Sequence, residues 1–176
     1  MTRSHMTSSH MIDPAHFRSA MGRAATGVTV VTTDGDAGRA GVTVSTLCSL
    51  SLEPPSVLFC IHRESKTLPL LIGNGVFVAN ILSGDQQRVA DSFAGLIPEL
   101  REDRFRAAEW DRIITGAPAL RGALCRFDCR LASVFDFGSH RIVAGEVLGV
   151  ETHAEEPLVY SNRAYRRLQA CEAVAS

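Results

Sequence analysis

The sequence predicts a mainly β domain, an antiparallel barrel or closed sheet carrying a few short helices. Three observations predict it. Cys125, Phe127, Cys129 and Leu131 alternate with Arg126, Asp128 and Arg130, the period-two pattern of a long half-buried strand. Runs of β-branched and apolar residues at 28–33, 57–61 and 76–82 are bounded by turn residues. No strict strand–helix–strand rhythm appears, and no G-x-G-x-x-G follows a strand, so a Rossmann fold is unsupported.

The elements follow in order. Asp13 can cap, and Pro14 can open, a short helix on which Phe17 and Met21 share a face. Gly22 or Gly27 ends it. Residues 28–33 form a strand, 34–38 a turn rich in Asp and Gly, and 40–44 the hairpin partner. Residues 45–51 are less regular and rich in hydroxyls. Pro54-Pro55 breaks the chain. Residues 57–61 read as a strand buried on both faces, and 76–82 as another, with a helix of about one or two turns between them from Thr67. Ser83-Gly84-Asp85 opens a second helix running to about Phe93, with Val89, Phe93 and Leu96 on one face. Residues 97–116, containing Trp110, form a long charged connection. After the alternating strand, 136–140 turn and 141–150 return antiparallel. A short strand at 158–160 and a helical turn over 163–170 end the chain. About six or seven such strands suit a barrel.

The 176 residues fit one domain, which can bury a core without a disulfide or metal staple. A formal net charge of −1 argues against a nucleic-acid or membrane-surface partner. The cysteines are Cys48, Cys60, Cys125, Cys129 and Cys171. Their odd number, with no apolar signal segment, points to reduced thiols and a cytoplasmic protein. Cys125 and Cys129 on one strand would lie roughly 13 Å apart, beyond the bridge limit of about 7 Å and too far to share a metal. No C-x-x-C pair exists, so no metal is expected. The longest apolar runs are far too short to span a bilayer. Ser4-His5-Met6 recurs as Ser9-His10-Met11, so residues 1–11 read as a tag-derived or disordered appendage. The domain is then 12–170, with a tail at 171–176.

Four segments carry candidate chemistry. Lys66 is the only lysine, and it sits in His62-Arg63-Glu64-Ser65-Lys66-Thr67 after the buried strand ending at Ile61. With Thr67 capping the next helix, its free N–H groups, the hydroxyls and the ammonium would make a phosphate seat. The plainer alternative is a solvated turn with a routine cap. The hydroxyl-rich stretch 43–51 could offer donors to the polar edge of a flat ring and apolar walls to the rest. It could equally be a strand with Ser and Thr facing water. Gly138-Ser139-His140 places a histidine at a strand start, against the alternative of an exposed hairpin residue. Tyr160 and Tyr165 with Arg163, Arg166 and Arg167 could cover a ligand or form an interface. No G-x-S-x-G, H-E-x-x-H or P-loop is present, so a hydrolase has little to rest on.

Taken together, residues 25–32, 41–51 leading into 54–61, Ser65-Lys66-Thr67, 77–82, and Gly138-Ser139-His140 followed by Gly145-Glu146-Val147 resemble the short-chain flavin reductase family, in the family's order. These enzymes are the reductase components of two-component flavin monooxygenases. The resemblance implies a split β-barrel with Greek-key features and a homodimer with flavin near the subunit interface. It implies NADH or NADPH as hydride donor and FMN or FAD as acceptor, with reduced flavin passing to a separate monooxygenase. By position, Thr29 belongs to the flavin site, and Ser45, Thr46, Leu47, Ser49 and Leu50 would line the isoalloxazine. Ser65, Lys66 and Thr67 would hold phosphate, Ala79 and Asn80 would border the flavin, His140 would meet the nicotinamide, and Tyr165 would close the site. Where the family commonly has Gly-Asp-His, this chain has Ser139 in place of the carboxylate. The alternative is a non-catalytic flavin- or haem-binding split-barrel module, and a third is an oxidase of a pyridoxine phosphate. His140 favours the reductase, because a pure binder needs no nicotinamide contact.

Overall fold

The computed structural model describes residues 12–169. The elements are α1 (Pro14–Met21), β1 (Thr26–Gly27), β2 (Thr29–Thr33), β3 (Ala40–Val44), β4 (Cys48–Leu52), β5 (Pro55–His62), α2 (Thr67–Asn74), β6 (Val76–Ile81), α3 (Gln87–Phe93), β7 (Trp110–Asp111), β8 (Ala119–Leu120), β9 (Cys125–Phe137), β10 (His140–Thr152), β11 (Val159–Ser161) and β12 (Ala164–Arg166). Seven strands form one antiparallel sheet in the order β3-β2-β6-β9-β10-β5-β4. Its end strands β3 and β4 do not pair, so the curled sheet stays open as a split barrel. Two small sheets, β1-β11-β12 and β7-β8, flank it.

β2 is buried along its whole length because it divides two cores. Val31 packs with Phe59, Ile61, Leu71 and Phe77. Val30 packs with Leu82, Phe93, Phe105 and Leu120. Alternate residues of a strand point to opposite faces, so a strand with a core on each side has no solvent face, and even Thr29, Thr32 and Thr33 are buried. β5 is different. Val57, Phe59 and Ile61 are buried while Ser56, Leu58 and Cys60 are only half covered, which corrects the expectation of burial on both faces. β10 crosses β9 with a register shift beside Gly145. A Cβ there would lie 2.4 Å from the Phe77 ring, so glycine lets that buried ring lie against the strand.

Several boundaries differ from expectation, each for a local reason. The hydroxyl-rich stretch after β3 is not irregular throughout: it becomes β4 and pairs with β5. α3 begins at Gln87, after a turn in which Ser83 Oγ donates to Asp85. Leu96 falls beyond the helix and is exposed. The face shared by Phe17 and Met21 stays in solvent, although Asp13 caps α1 through the Ala15 N–H as expected. The long connection 97–116 folds into short 3-10 turns that pack Phe105 and Trp110 edge-on against Phe93. The expected helical turn over 163–170 is a hairpin over its described part. Asn162 and Arg163 both have positive φ, the signature of a tight two-residue hairpin turn, and β1 offers an edge on which β11 pairs.

Candidate functional site

The sheet brings three connections together: the loop leaving β3, the loop from β5 to α2, and the Gly138-Ser139 turn between β9 and β10. Gly138 takes φ +55 and permits that turn. The β5–β10 register then sets His140 directly opposite His62. The Arg63 N–H donates to the Ser139 carbonyl at 3.0 Å and ties the two connections. A cleft of about 410 Å³ results, lined by Ser45, Thr46, Cys60, His62, Ser65 and His140. The hydroxyl loop and the start of the cationic stretch thus share one space.

Two imidazoles form one wall. Their rings meet edge to face at 5.2 Å, and Ser139 Oγ lies 2.9 Å from His140 Nδ1. A hydroxyl can donate or accept here, whereas a carboxylate would require a proton on Nδ1. His62 Nδ1 accepts from the Glu64 N–H at 3.3 Å, which puts the proton of the neutral ring on Nε2. Asp136 collects Arg141 at 2.7 Å and Arg63 at 3.7 Å beside this wall. Sequence reading included His62 in the candidate stretch 62–67 but gave it no role beside His140. The only signal for that role is the strand register, which no local motif encodes.

The hydroxyls divide their work. Thr46 Oγ1 accepts from the Cys60 N–H at 2.8 Å and donates to the Cys60 carbonyl at 3.3 Å, fixing its loop to the edge of β5. Ser45 is exposed and borders a second cleft of about 320 Å³, shared with Asp91, Tyr160, Arg163 and Tyr165. The Tyr165 hydroxyl donates to Asp91 at 2.7 Å. Burial first, then that hydrogen bond and the Asp91 charge, push its phenol well above the usual range, so it stays neutral. Tyr165 therefore adjoins the histidine cleft across Ser45.

Lys66 and Thr67 open onto a larger cleft of about 740 Å³. Thr67 is not the cap. Lys66 occupies that position without a side-chain bond, and the buried Thr67 hydroxyl donates to the Gly41 carbonyl at 2.9 Å. That bond holds α2 on β3, leaving Ser65, the Lys66 ammonium and backbone N–H groups as the anion donors.

Other expected residues lie elsewhere. Leu47 and Ser49 line a small apolar cleft of about 260 Å³ with Leu52, Phe127 and Val150, and Leu50 is half exposed on β4. Thr29, Ala79 and Asn80 are fully buried in β2 and β6, the inner strands of the sheet. The Asn80 amide donates to the Val30 carbonyl at 2.9 Å and accepts from the Leu120 N–H at 2.7 Å. These three residues hold the sheet together, and none of them lines the clefts described above. Among the cysteines, burial foremost and the Asp128 charge next push the Cys129 thiol up to about 12, so it stays protonated and unreactive.

A ring with one polar edge and a phosphate on a flexible arm suits this arrangement. Hydroxyls and imidazoles surround the histidine cleft, and an ammonium and a helix start lie one residue beyond Ser65. No helix among the described residues is long and apolar enough to cross a membrane.

Comparison with known proteins agrees. The family model described as "Flavin reductase like domain" matches residues 21–169. The FMN reductase (NADH) RutF 2 of Methylorubrum extorquens (strain PA1) is 40% identical over 161 residues, covering 89% of this chain and 91% of its own. The Streptomyces globisporus C-1027 NADH:FAD oxidoreductase SgcE6, solved with NAD and FAD fragments, superposes with TM-score 0.83 at 30% identity, over 94% of this chain and 99% of its own. BorF, the flavin reductase component of a bacterial two-component tryptophan halogenase, superposes with TM-score 0.79 at 35% identity, over 90% of this chain and all of its own (100%). With the match running through nearly every element that builds the cleft, the chain belongs to the flavin reductase-like family.

Proposed function

We propose that flavin reduction by a nicotinamide donor takes place in the histidine cleft, with the flavin's phosphate held at Ser65 and Lys66. The observation that carries this assignment is the convergence of Ser45, Thr46, Ser65 and His140 on one space, with Lys66 at its margin. The enzyme is an NAD(P)H:flavin oxidoreductase that supplies reduced FMN or FAD to a separate monooxygenase. Its relatives named FMN reductase (NADH), and the halogenase component BorF, support that role.

Bound flavin supplies the hydride-accepting chemistry. The chain's own residues bind and orient. Ser45 and Ser65 offer hydroxyl donors, and such donors favour negative charge developing on a ring edge. The Lys66 ammonium and the start of α2 attract phosphate. His140, buttressed by the edge of His62, walls the face where a nicotinamide would lie. Tyr165, neutral and fixed by Asp91, borders the far side. Both histidines are solvent-exposed, so the cleft is open and suits a flavin that arrives and leaves as a substrate. A homodimer is supported by the apolar side chains that one copy leaves in water. Leu52 is 85% and Phe137 79% exposed, with Leu50, Phe135 and Val150 also uncovered. A cytoplasmic setting fits the free thiols of Cys48, Cys60, Cys125 and Cys129 among the described residues.

NADH and NADPH oxidation assayed with added FMN, FAD or riboflavin tests the assignment. Consumption of a donor that depends on added flavin is expected, and no consumption with any flavin overturns it. Lys66→Ala should weaken FMN about tenfold more than riboflavin, which lacks the phosphate (about 1.4 kcal/mol). Isothermal titration of both ligands measures the ratio, and equal losses would remove Lys66 from the phosphate seat.

A further inference from the structure

The larger cleft at Lys66 exceeds what one phosphate needs, and its position is informative. β3 serves both spaces: Ala40 and Gly41 line the larger cleft, while Val42, Thr43 and Val44 line the histidine cleft. The loop before α2 does the same, with Ser65 in one space and Lys66 and Thr67 in the other. The two clefts therefore adjoin along β3 and the loop before α2, with Ser65 and Lys66 where they meet.

The walls of the larger cleft are cationic and partly aromatic. Arg39, Lys66, Arg101 and Arg104 line it against Glu102 and Asp103. The Arg39 guanidinium lies 4.4 Å over the Phe105 ring and 3.5 Å from Asp103, so its plane is held. Arg104 is committed, since its Nη1 donates to the Phe93 carbonyl at 3.0 Å. Lys66 and Arg101 have no ion-pair or side-chain hydrogen-bond partner among the described residues, and both are exposed. A space of about 740 Å³ with two uncommitted cations and a clamped guanidinium plane is matched to a nucleoside phosphate. The cations meet phosphate oxygens, and a guanidinium plane stacks on a purine.

We propose that this cleft takes the adenosine-phosphate half of a flavin dinucleotide, so that the chain prefers FAD to FMN. The proposal rests on the flavin lying in the histidine cleft. Lys66 stands at the first phosphate, Arg101 at the second, and Arg39 against the adenine. The relatives named FMN reductases do not anticipate this preference.

Titration of the full chain with FAD and FMN, before and after Arg101→Ala, tests it. The unmodified protein should bind FAD at least tenfold more tightly than FMN. Arg101→Ala should raise the Kd for FAD about tenfold more than that for FMN, and Arg101→Lys should recover part of the difference. Equal affinity for the two flavins, or equal losses on substitution, overturns the proposal. NADPH carries the same adenylate chemistry with an extra phosphate. A selective rise in the KM for NADPH, with FAD unaffected, assigns the cleft to the donor and also overturns the proposal. Failure of any flavin to support NADH or NADPH oxidation would instead remove the underlying flavin reductase assignment.

Discussion

Replacing His140 with alanine lowers NADH turnover by about 100-fold while flavin affinity changes less than about twofold. The separation of effects follows from where the side chain stands. His140 begins β10 beside His62 and its ring forms the wall of the histidine cleft, whereas Lys66 of the phosphate seat opens onto the neighbouring cleft. Removing the imidazole removes the wall that would hold a nicotinamide against the flavin and leaves the His62 ring facing a gap. Misplacement of reacting groups by even an ångström costs rates of this order. Ligand binding at Lys66 does not depend on that wall. Steady-state NADH oxidation paired with flavin titration by fluorescence reads both quantities. An unchanged oxidation rate would retire His140 from the site.

Asn80→Ala destabilises the fold by about 2–4 kcal/mol without a selective loss of flavin affinity in the folded protein. The amide is fully buried in β6. It donates to the Val30 carbonyl and to Thr32 Oγ1 at 3.2 Å, and its oxygen accepts from the Leu120 N–H. Alanine strands the Leu120 donor away from water, which costs about 1–3 kcal/mol, and leaves a small cavity besides. Chemical denaturation gives the stability change. Loss of flavin binding at unaltered stability would return Asn80 to the ligand site.

Much of this architecture was legible because strand signals are local. The alternation over 125–131 marks β9, and β-branched runs mark β2 and β6. Asp13-Pro14 marks the start of α1. Pairing is not local. Nothing near His62 announces that β10 will lay His140 beside it. Burial is equally hidden: Ala79 and Asn80 sit in a family-like segment, but the sheet order places them on an inner strand. The Thr67 hydroxyl reads as a cap until β3 is seen to offer the Gly41 carbonyl. The terminal hairpin was unreadable because helical propensity over 163–170 yields to an available edge on β1. Ser45, Ser65 and His140, each in or beside a connection named from sequence, line one cleft, but the bonds that draw those connections together, Thr46 to Cys60 and Arg63 to Ser139, join distant segments.

The main-chain bond from Arg63 to Ser139 has a consequence for traffic through the enzyme. It fastens the imidazole wall to two long pleated ribbons, so the docking surface stands ready before any nucleotide arrives. Both rings of that wall are exposed, so residence of the reduced product follows its affinity, and hand-over to a partner oxygenase is governed by how fast that product dissociates.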